Sequence, residues 1–224
     1  MADSVLPEDF LSKPAKNITA HRIDFSKTDL PKYTGLYAVV LDNVLTIEEC
    51  EMLIKGAEGS TTKGWERAMI NIGGGRQRLM EDERCCGRII WDSPAIVSKL
   101  WKRIEHLPEV KEIVRLEKVP KIFGQGPSKR DEVWEFSRPN ERMRFLKYVG
   151  GEYFRPHCDG SYETPDRKER TDAKPQSDAD SAYLTPEQQK RVAKSQLVGG
   201  ATTFHSINMK EKLDVLPVMG RVLL

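Results

Sequence analysis

The apolar positions in the first half of the chain predict one strand and two helices. Residues 36–41 form an uninterrupted apolar run of strand length, which predicts a buried strand. From 47 to 58 apolar residues recur every three or four positions, and Thr46 with Glu49 has the spacing of a capping box, so we expect a helix that starts here. Helical spacing returns over 94–107, where the apolar face is typical of a helix packed against a core.

The second half of the chain has the pattern of short strands. Aromatic and aliphatic residues are frequent from 134 to 153, and a pair of glycines near the end of this stretch suits a tight turn, so we expect a hairpin. Residues 163–196 contain many Pro, Asp, Lys and Arg and no apolar run of strand length, which indicates a polar insertion. Strand-like apolar segments return at 201–204 and 215–224.

The domain organisation follows from these patterns. Residues 1–34 are polar and interrupted by prolines, so we expect a loosely ordered N-terminal arm. Residues 35–224 then form one α+β domain, because 224 residues suit a single domain with a sizeable core. The sequence has neither an apolar run of about 18 residues nor the basic and apolar regions of a secretory signal, so we expect a cytoplasmic or nuclear protein with no membrane partner.

The charged residues nearly cancel, with 36 Lys+Arg against 34 Asp+Glu and a net charge of +2. This balance argues against a nucleic-acid partner, because such proteins carry a clustered basic excess. A nucleic-acid module remains an alternative, in which bases stack on Trp65 or Trp91 and phosphates contact four arginines, Arg76, Arg78, Arg84 and Arg88. The four cysteines have no Cys-x-x-Cys spacing, so neither a disulfide framework nor a zinc site is expected.

His157 and Asp159 carry the most informative chemistry in the sequence. Residues two apart on an extended chain point to the same side, so one imidazole and one carboxylate can reach the same ion. They make up two-thirds of the triad of two histidines and one carboxylate that holds Fe(II) and leaves positions open for O₂ and a co-substrate. Taken alone, the pair favours the simpler alternative of a hydrogen-bonded histidine beside a turn aspartate.

The surrounding segments resemble a known family in their order along the chain. Residues 143–161 (MRFLKYVGGEYFRPHCDGS) resemble the strand, turn and metal-binding strand of the prolyl 4-hydroxylase-type Fe(II)/2-oxoglutarate-dependent dioxygenases. Residues 199–204 (GGATTF) are similar to a Gly-Gly-Glu-Thr-x-Phe element of that family, with Ala201 where Glu is usual. Residues 220–224 resemble the strand that leads to the second iron histidine, and 45–50 resemble an early helix.

The resemblance implies a fold, ligands and residue roles. The fold would be α+β, with a double-stranded β-helix (jelly-roll, cupin-like) core flanked by N-terminal helices and incomplete at the C-terminus. His157 and Asp159 would be iron ligands, and Tyr148 would contact 2-oxoglutarate, although Tyr148 is equally typical of a core aromatic residue. The implied cofactors are Fe(II) and 2-oxoglutarate, with ascorbate as a family expectation. The glycine-rich stretch 71–88 corresponds to a loop that covers the substrate.

The sequence departs from the family pattern in two places. The second iron histidine and the basic residue that pairs with 2-oxoglutarate are expected beyond Leu224, so we expect at most weak iron binding by this chain. His205 is a poor replacement, because it directly follows the 199–204 element rather than the last strand. Residues 170–175 cannot alternate apolar and polar side chains, and Pro175 lacks an amide donor, so we expect a wall strand to be missing.

The expected function is therefore that of an oxidoreductase. The resemblance implies hydroxylation of a peptidyl-proline, amino-acid or small-molecule substrate, coupled to conversion of 2-oxoglutarate to succinate and CO₂. The alternative is a catalytically inactive, truncated family member that acts through protein contacts. The sequence does not identify the substrate or the oligomeric state.

Overall fold

The fold was obtained as a computed structural model, which describes residues 6–72, 76–118, 133–157, 162–163, 170–171 and 200–224. These residues form three α-helices: α1 (Ile47–Gly59), α2 (Pro94–Ile104) and α3 (Pro108–Lys111). They also form sixteen short strands: β1 (Thr19–Arg22), β2 (Val39–Asp42), β3 (Glu66–Arg67), β4 (Ile70–Asn71), β5 (Gln77–Arg78), β6 (Arg84–Cys85), β7 (Gly87–Asp92), β8 (Arg115–Glu117), β9 (Val133–Glu135), β10 (Arg142–Lys147), β11 (Tyr153–Phe154), β12 (Tyr162–Glu163), β13 (Arg170–Thr171), β14 (Thr202–His205), β15 (Lys212–Val215) and β16 (Val222–Leu223).

The chain divides into two compact units, each assembled from separate stretches of sequence. The first unit contains the described parts of Met1–Ile18, Asn43–Leu107 and Ser137–Arg155. The second contains those of Thr19–Asp42, Pro108–Phe136 and Pro156–Leu224.

The first unit is built on an antiparallel sheet with the order β10-β7-β3. Its helices begin where the sequence predicts: Thr46 and Glu49 form the capping box of α1, and Ser93 caps α2 just before Pro94. One face of β7 packs into the apolar core of this unit. The buried residues of this core are Phe10, Leu11, Leu53, Ala57, Ile89, Trp91 and Ile96. Gly56 of α1 lies so close to this core that an added Cβ would be 2.8 Å from the Trp91 ring.

The second unit has a sheet with the order β1-β2-β16, in which all four residues of the central strand β2 are buried. A separate hairpin pairs β14 with β15. The core of this unit joins Phe25, Leu30, Ala38 and Leu213. Asp42 at the end of β2 forms a buried, bidentate ion pair with Arg221, with N–O distances of 2.8 and 3.0 Å.

The α+β class expected from the sequence is confirmed, because the described residues combine a few helices with many short antiparallel strands. None of the sheets in these residues closes into a barrel. The hairpin predicted over 134–153 is wrong: β10 pairs with β7, and β9 pairs with β8. The turn glycines lie where expected, but the backbone of β10 forms its hydrogen bonds with β7, which is distant in the sequence.

Two further segments differ from the sequence pattern. Residues 1–34 are expected to be a loose arm, whereas their described part provides β1 and four buried apolar residues in the two cores, Phe10, Leu11, Phe25 and Leu30. Isolated apolar residues between prolines form no periodic pattern, so the sequence does not reveal their burial. A two-residue strand, β13, pairs with β12 inside the segment expected to be a polar insertion, and most of 163–196 lies outside the described residues.

Candidate functional site

Tyr148 immediately follows β10 in the first unit, and its hydroxyl lies beside Arg84 and Cys86. Lys147, the last residue of β10, pairs with Gly87, so the next position along β10 faces Cys86. The side chains of Cys86 and Arg84 lie near enough to the phenol to influence its pKa. The residue is 41% exposed, whereas Cys86 has no exposed surface and Arg84 is only 9% exposed. Tyr148 is therefore partly open to solvent although two of its neighbours are buried.

This environment keeps the Tyr148 hydroxyl protonated. Burial first, and then the Cys86 thiol, raise the pKa of Tyr148 to about 12, and Arg84 opposes them. Burial has this effect because it disfavours the charged phenolate. At neutral pH Tyr148 is a neutral hydroxyl that can donate one hydrogen bond to an anion without adding charge.

Arg84 is a buried cation held by groups that are not acids. It lies on β6, its guanidinium carbon is 4.2 Å from the centre of the Phe154 ring, and its Nε donates to Cys86 Sγ over 3.5 Å. Cation–π contact and a thiol acceptor compensate a buried charge only in part. Within the described part of the chain, no carboxylate lies within ion-pair distance of Arg84.

Arg84 lies on β6, which pairs with β11 in a separate two-stranded sheet, and it precedes a row of side chains on one face of the β10-β7-β3 sheet. Alternate residues of a strand share a face, and residues paired across antiparallel strands share it too. With Arg84 added, the row and its partners on β10 contain arginines separated by apolar and polar residues: Arg84, Cys86, Arg88, Ile90 and Asp92, opposite Tyr148, Leu146, Arg144 and Arg142. We call these nine residues the arginine face.

Arg88 and Arg144 are further cations on the arginine face. Arg88 donates to the Met69 carbonyl over 3.2 Å and to Gln77 Oε1 over 2.9 Å. The pKa of Arg88 is lowered, first by burial and then by the positive charges of Arg84 and Arg144. The three guanidinium groups therefore repel one another.

Arg142, at the far end of the arginine face, has a different environment. It pairs with both carboxylate oxygens of Asp92, at 2.8 and 2.7 Å. The hydrogen bonds from Arg142 lower the pKa of Asp92, and burial opposes them. This end of the face is neutral as a pair, and the charge of Arg144 also lowers the pKa of Asp92.

The expected metal ligands lie in the second unit or outside the described residues. His157 is half-buried and belongs to no strand or helix. Asp159 lies outside the described residues, so the structure does not test the pair. His205 is the last residue of β14, and its Nδ1 is inaccessible to solvent. Among the residues that the structure describes, no group of three or more His, Cys, Asp or Glu side chains is placed to hold a metal ion.

The nucleic-acid alternative loses one of its stacking residues. Trp91 is 4% exposed and packs in the core of the first unit, 6.2 Å from Phe145 between ring centres. A buried ring cannot accept a base by stacking. Arg76 and Arg78 are exposed, but they lie outside the row that contains Arg84 and Arg88.

The sequence analysis names Arg84 and Arg88 only in this nucleic-acid alternative and does not associate them with Tyr148. The alternating positions 84, 86 and 88 were the available signal, because they place side chains on one face of an extended chain. The burial of Arg84 and its position opposite Tyr148 depend on the pairing of β7 with β10, which is not local in the sequence.

No protein-family model, curated protein or solved structure matches this chain. No helix in the described residues is both long enough and apolar enough to cross a membrane.

Proposed function

We propose that this chain is a dioxygenase of the Fe(II)/2-oxoglutarate-dependent, prolyl 4-hydroxylase type. The observation that carries the proposal is the His157-x-Asp159 motif, nine residues after Tyr148 and followed in order by the glycine-rich 199–204 element. Each motif is weak alone, and their order makes the combination more specific. The proposed fold is a double-stranded β-helix, with which the short antiparallel strands of both units are compatible.

The donor atoms in the motif suit iron. Neutral imidazole and carboxylate are the ligands that non-haem Fe(II) prefers in oxygenases, and His157 with Asp159 supplies one of each. When bound, iron would supply the activation of O₂ that hydroxylates a substrate C–H bond while 2-oxoglutarate is converted to succinate and CO₂. A peptidyl-proline, an amino acid and a small metabolite all fit this reaction, and ascorbate would serve as a reductant.

Tyr148 has the chemistry that its proposed role requires. A hydroxyl that stays protonated at neutral pH can donate to a carboxylate of 2-oxoglutarate, and the raised pKa of Tyr148 ensures this state. The adjacent guanidinium of Arg84 favours a negative charge at the same place. These contacts support an anionic co-substrate beside β10.

The test is an anaerobic titration with Fe(II), with and without 2-oxoglutarate. We expect a weak visible charge-transfer band when both are present, because metal and co-substrate would then share one site that His157 and Asp159 hold with two ligands only. His157→Ala should abolish the band. His21→Ala removes a histidine from β1, outside the motif, and should leave it unchanged.

Two results would contradict the proposal. If the wild-type chain gives no band, the alternative of a catalytically inactive relative that acts through protein contacts is favoured. If His157→Ala and His21→Ala weaken the band equally, iron binds elsewhere in the chain.

A further inference from the structure

The turn between β14 and β15 exposes two large apolar side chains. We call residues 206–211, which join these two strands, the hairpin tip. Ile207 is 89% exposed, the highest value among the large hydrophobic residues that the structure describes, and Met209 is 52% exposed. A single exposed apolar residue is ordinary on a protein surface. Here two of them share one short turn, so both can enter the same apolar layer.

The base of the hairpin tip is anchored in the core of the second unit. Phe204 lies just before the tip, and its ring centre is 5.8 Å from that of Phe25, in an edge-to-face contact. Leu213, shortly after the tip, is buried in the same core. The Tyr33 hydroxyl donates to the His205 carbonyl over 2.6 Å. The tip is therefore held at a fixed place by packed strands on both sides.

Hydrogen bonds inside the hairpin tip satisfy four of its backbone amides. The Ser206 amide donates to the Glu211 carbonyl over 2.9 Å, and the Met209 amide donates to the Ser206 carbonyl over 2.8 Å. Asn208 Oδ1 accepts from the Lys210 amide over 3.2 Å, and Ser206 Oγ accepts from the Glu211 amide over 3.0 Å. Because these amides already have partners, they can enter an apolar medium without the cost of an unpaired donor.

The charged residues at the hairpin tip leave one positive charge in excess. Lys210 and Lys212 are both exposed, and Glu211 between them is the acid of this segment. The Ser206 hydroxyl lowers the pKa of Glu211, so this carboxyl stays charged at neutral pH. A lysine has an apolar stem that can lie along hydrocarbon while its ammonium group remains in a polar layer.

The composition of the hairpin tip favours a lipid surface over a protein pocket. The residues that contribute most to protein–protein binding are Trp, Tyr and Arg, and lysine is depleted in the centre of such interfaces. Residues 206–212 (SINMKEK) contain no aromatic residue and no arginine, but two lysines. Association with a lipid surface instead depends on buried apolar area and on attraction to anionic headgroups. The tip provides both.

We infer that the hairpin tip is a contact site for an anionic lipid surface. Ile207 and Met209 enter the boundary of the acyl chains, and Lys210 lies among the headgroups. Binding is reversible, because two side chains bury little area. The sequence predicts no membrane partner from its lack of a spanning segment or signal, and that reasoning does not cover contact through a turn. The inference does not rest on the proposed function, since none of these three residues belongs to the proposed iron or 2-oxoglutarate site.

The test is cosedimentation of the full chain with two kinds of vesicle. One kind is phosphatidylcholine alone, and the other is phosphatidylcholine and phosphatidylserine in equal parts. We expect the chain to bind the mixed vesicles about threefold to tenfold more tightly, because one excess positive charge lies near the anionic surface. Raising the salt concentration should reduce this preference, since salt screens the attraction.

Variants then locate the contact. Ile207→Ser should weaken binding to mixed vesicles about tenfold, because it removes most of the apolar area that enters the lipid. Lys210→Gln should remove most of the preference for phosphatidylserine. The matched control is Ile47→Ser, the same substitution at a 55% exposed isoleucine at the start of α1. It should change binding less than about twofold, and urea denaturation should show that both serine variants remain folded.

Three results would overturn the inference. The first is a chain that does not sediment with the mixed vesicles. The second is an equal loss of binding in Ile207→Ser and Ile47→Ser. The third is self-association that depends on protein concentration and is abolished by Ile207→Ser, without vesicle binding, which would assign the tip to a protein contact. The assay contains no iron and no 2-oxoglutarate, so its outcome is independent of the iron titration.

Discussion

Two buried arginines of the first unit show how differently one side chain can be used. Arg103, on α2, is 5% exposed and donates to both carboxylate oxygens of Glu49, at 2.7 and 2.6 Å, and to two backbone carbonyls. Arg84 is buried almost as deeply, yet its neighbours are Cys86, Tyr148 and Phe154. Burial alone therefore does not distinguish a structural arginine from one available to a ligand, whereas the presence of an acid does.

The same substitution at three arginines turns this comparison into an experiment. Met has a similar length and no charge, so each Arg→Met variant removes the guanidinium while keeping much of the apolar volume. The third site is Arg221 in the second unit, where a buried arginine pairs with Asp42.

The largest loss is expected for Arg221→Met. It removes the bidentate ion pair of the buried Asp42 carboxylate and the hydrogen bond from Arg221 to the Leu216 carbonyl. Because removing one partner of a buried ion pair is strongly destabilising, we expect the free energy of unfolding to fall by about 3–5 kcal/mol. Urea denaturation measures this loss. The control Arg221→Met/Asp42→Leu removes both charges and should recover much of the loss. A loss below about 1 kcal/mol in the single variant would show that the pair is not needed for stability.

A smaller loss is expected for Arg103→Met. Glu49 remains partly exposed, so water can solvate its freed carboxylate, but two carbonyl groups also lose their donor. We expect a loss of about 2–3 kcal/mol in the free energy of unfolding. Lys102→Met, at the preceding position of α2, is the control for placing Met in this helix and should change stability little. Equal losses in both variants would assign the effect to helix α2 rather than to the ion pair.

Arg84→Met should change stability least of the three. Its removal leaves no carboxylate behind in the described surroundings and ends the cost of burying a charge without an acid. The lost contact with the Phe154 ring offsets part of this gain. We expect an unfolding free energy within about 1 kcal/mol of the wild-type value, or above it. A loss as large as that of Arg103→Met would show that Arg84 is structural and would remove the basis of the comparison.

The pairing of Arg103 also predicts a pH dependence. The hydrogen bond from Arg103 lowers the pKa of Glu49, and burial opposes it. A carboxyl whose pKa is lower in the folded state stabilises the fold above its unfolded pKa of about 4.3, and this contribution is lost as pH falls through the folded pKa. We therefore expect the stability difference between wild type and Glu49→Gln to shrink below about pH 4. A stability difference that does not change with pH would contradict this coupling.

The elements that the sequence predicts well are those with local signals. The start of α1 follows from Thr46 and Glu49, and that of α2 from Ser93 and Pro94, because capping depends on residues within one turn. The pairing of β10 with β7 has no such signal, since the two strands are about fifty residues apart and any apolar strand could compete for the same edge. The expected hairpin is wrong for this reason.

The candidate site divides in the same way. Tyr148 is named in the sequence analysis through the family resemblance, which places it nine residues before His157. The burial of Arg84 and the missing acid beside it are tertiary properties, and no spacing within the chain encodes them. The iron ligands remain a prediction, since Asp159 lies outside the described residues.

The central position of β2 has a consequence for how the chain reaches its folded state. Its two neighbours come from opposite parts of the sequence, β1 shortly before it and β16 near residue 224, and Asp42 and Arg221 are 179 residues apart. Closing so long a loop is slow, because the chain loses conformational entropy before any stabilising contact forms. Until then one edge of this wholly buried strand is open to pairing with another chain. During synthesis, aggregation would begin at this open edge. The edge is closed when β16 pairs with β2.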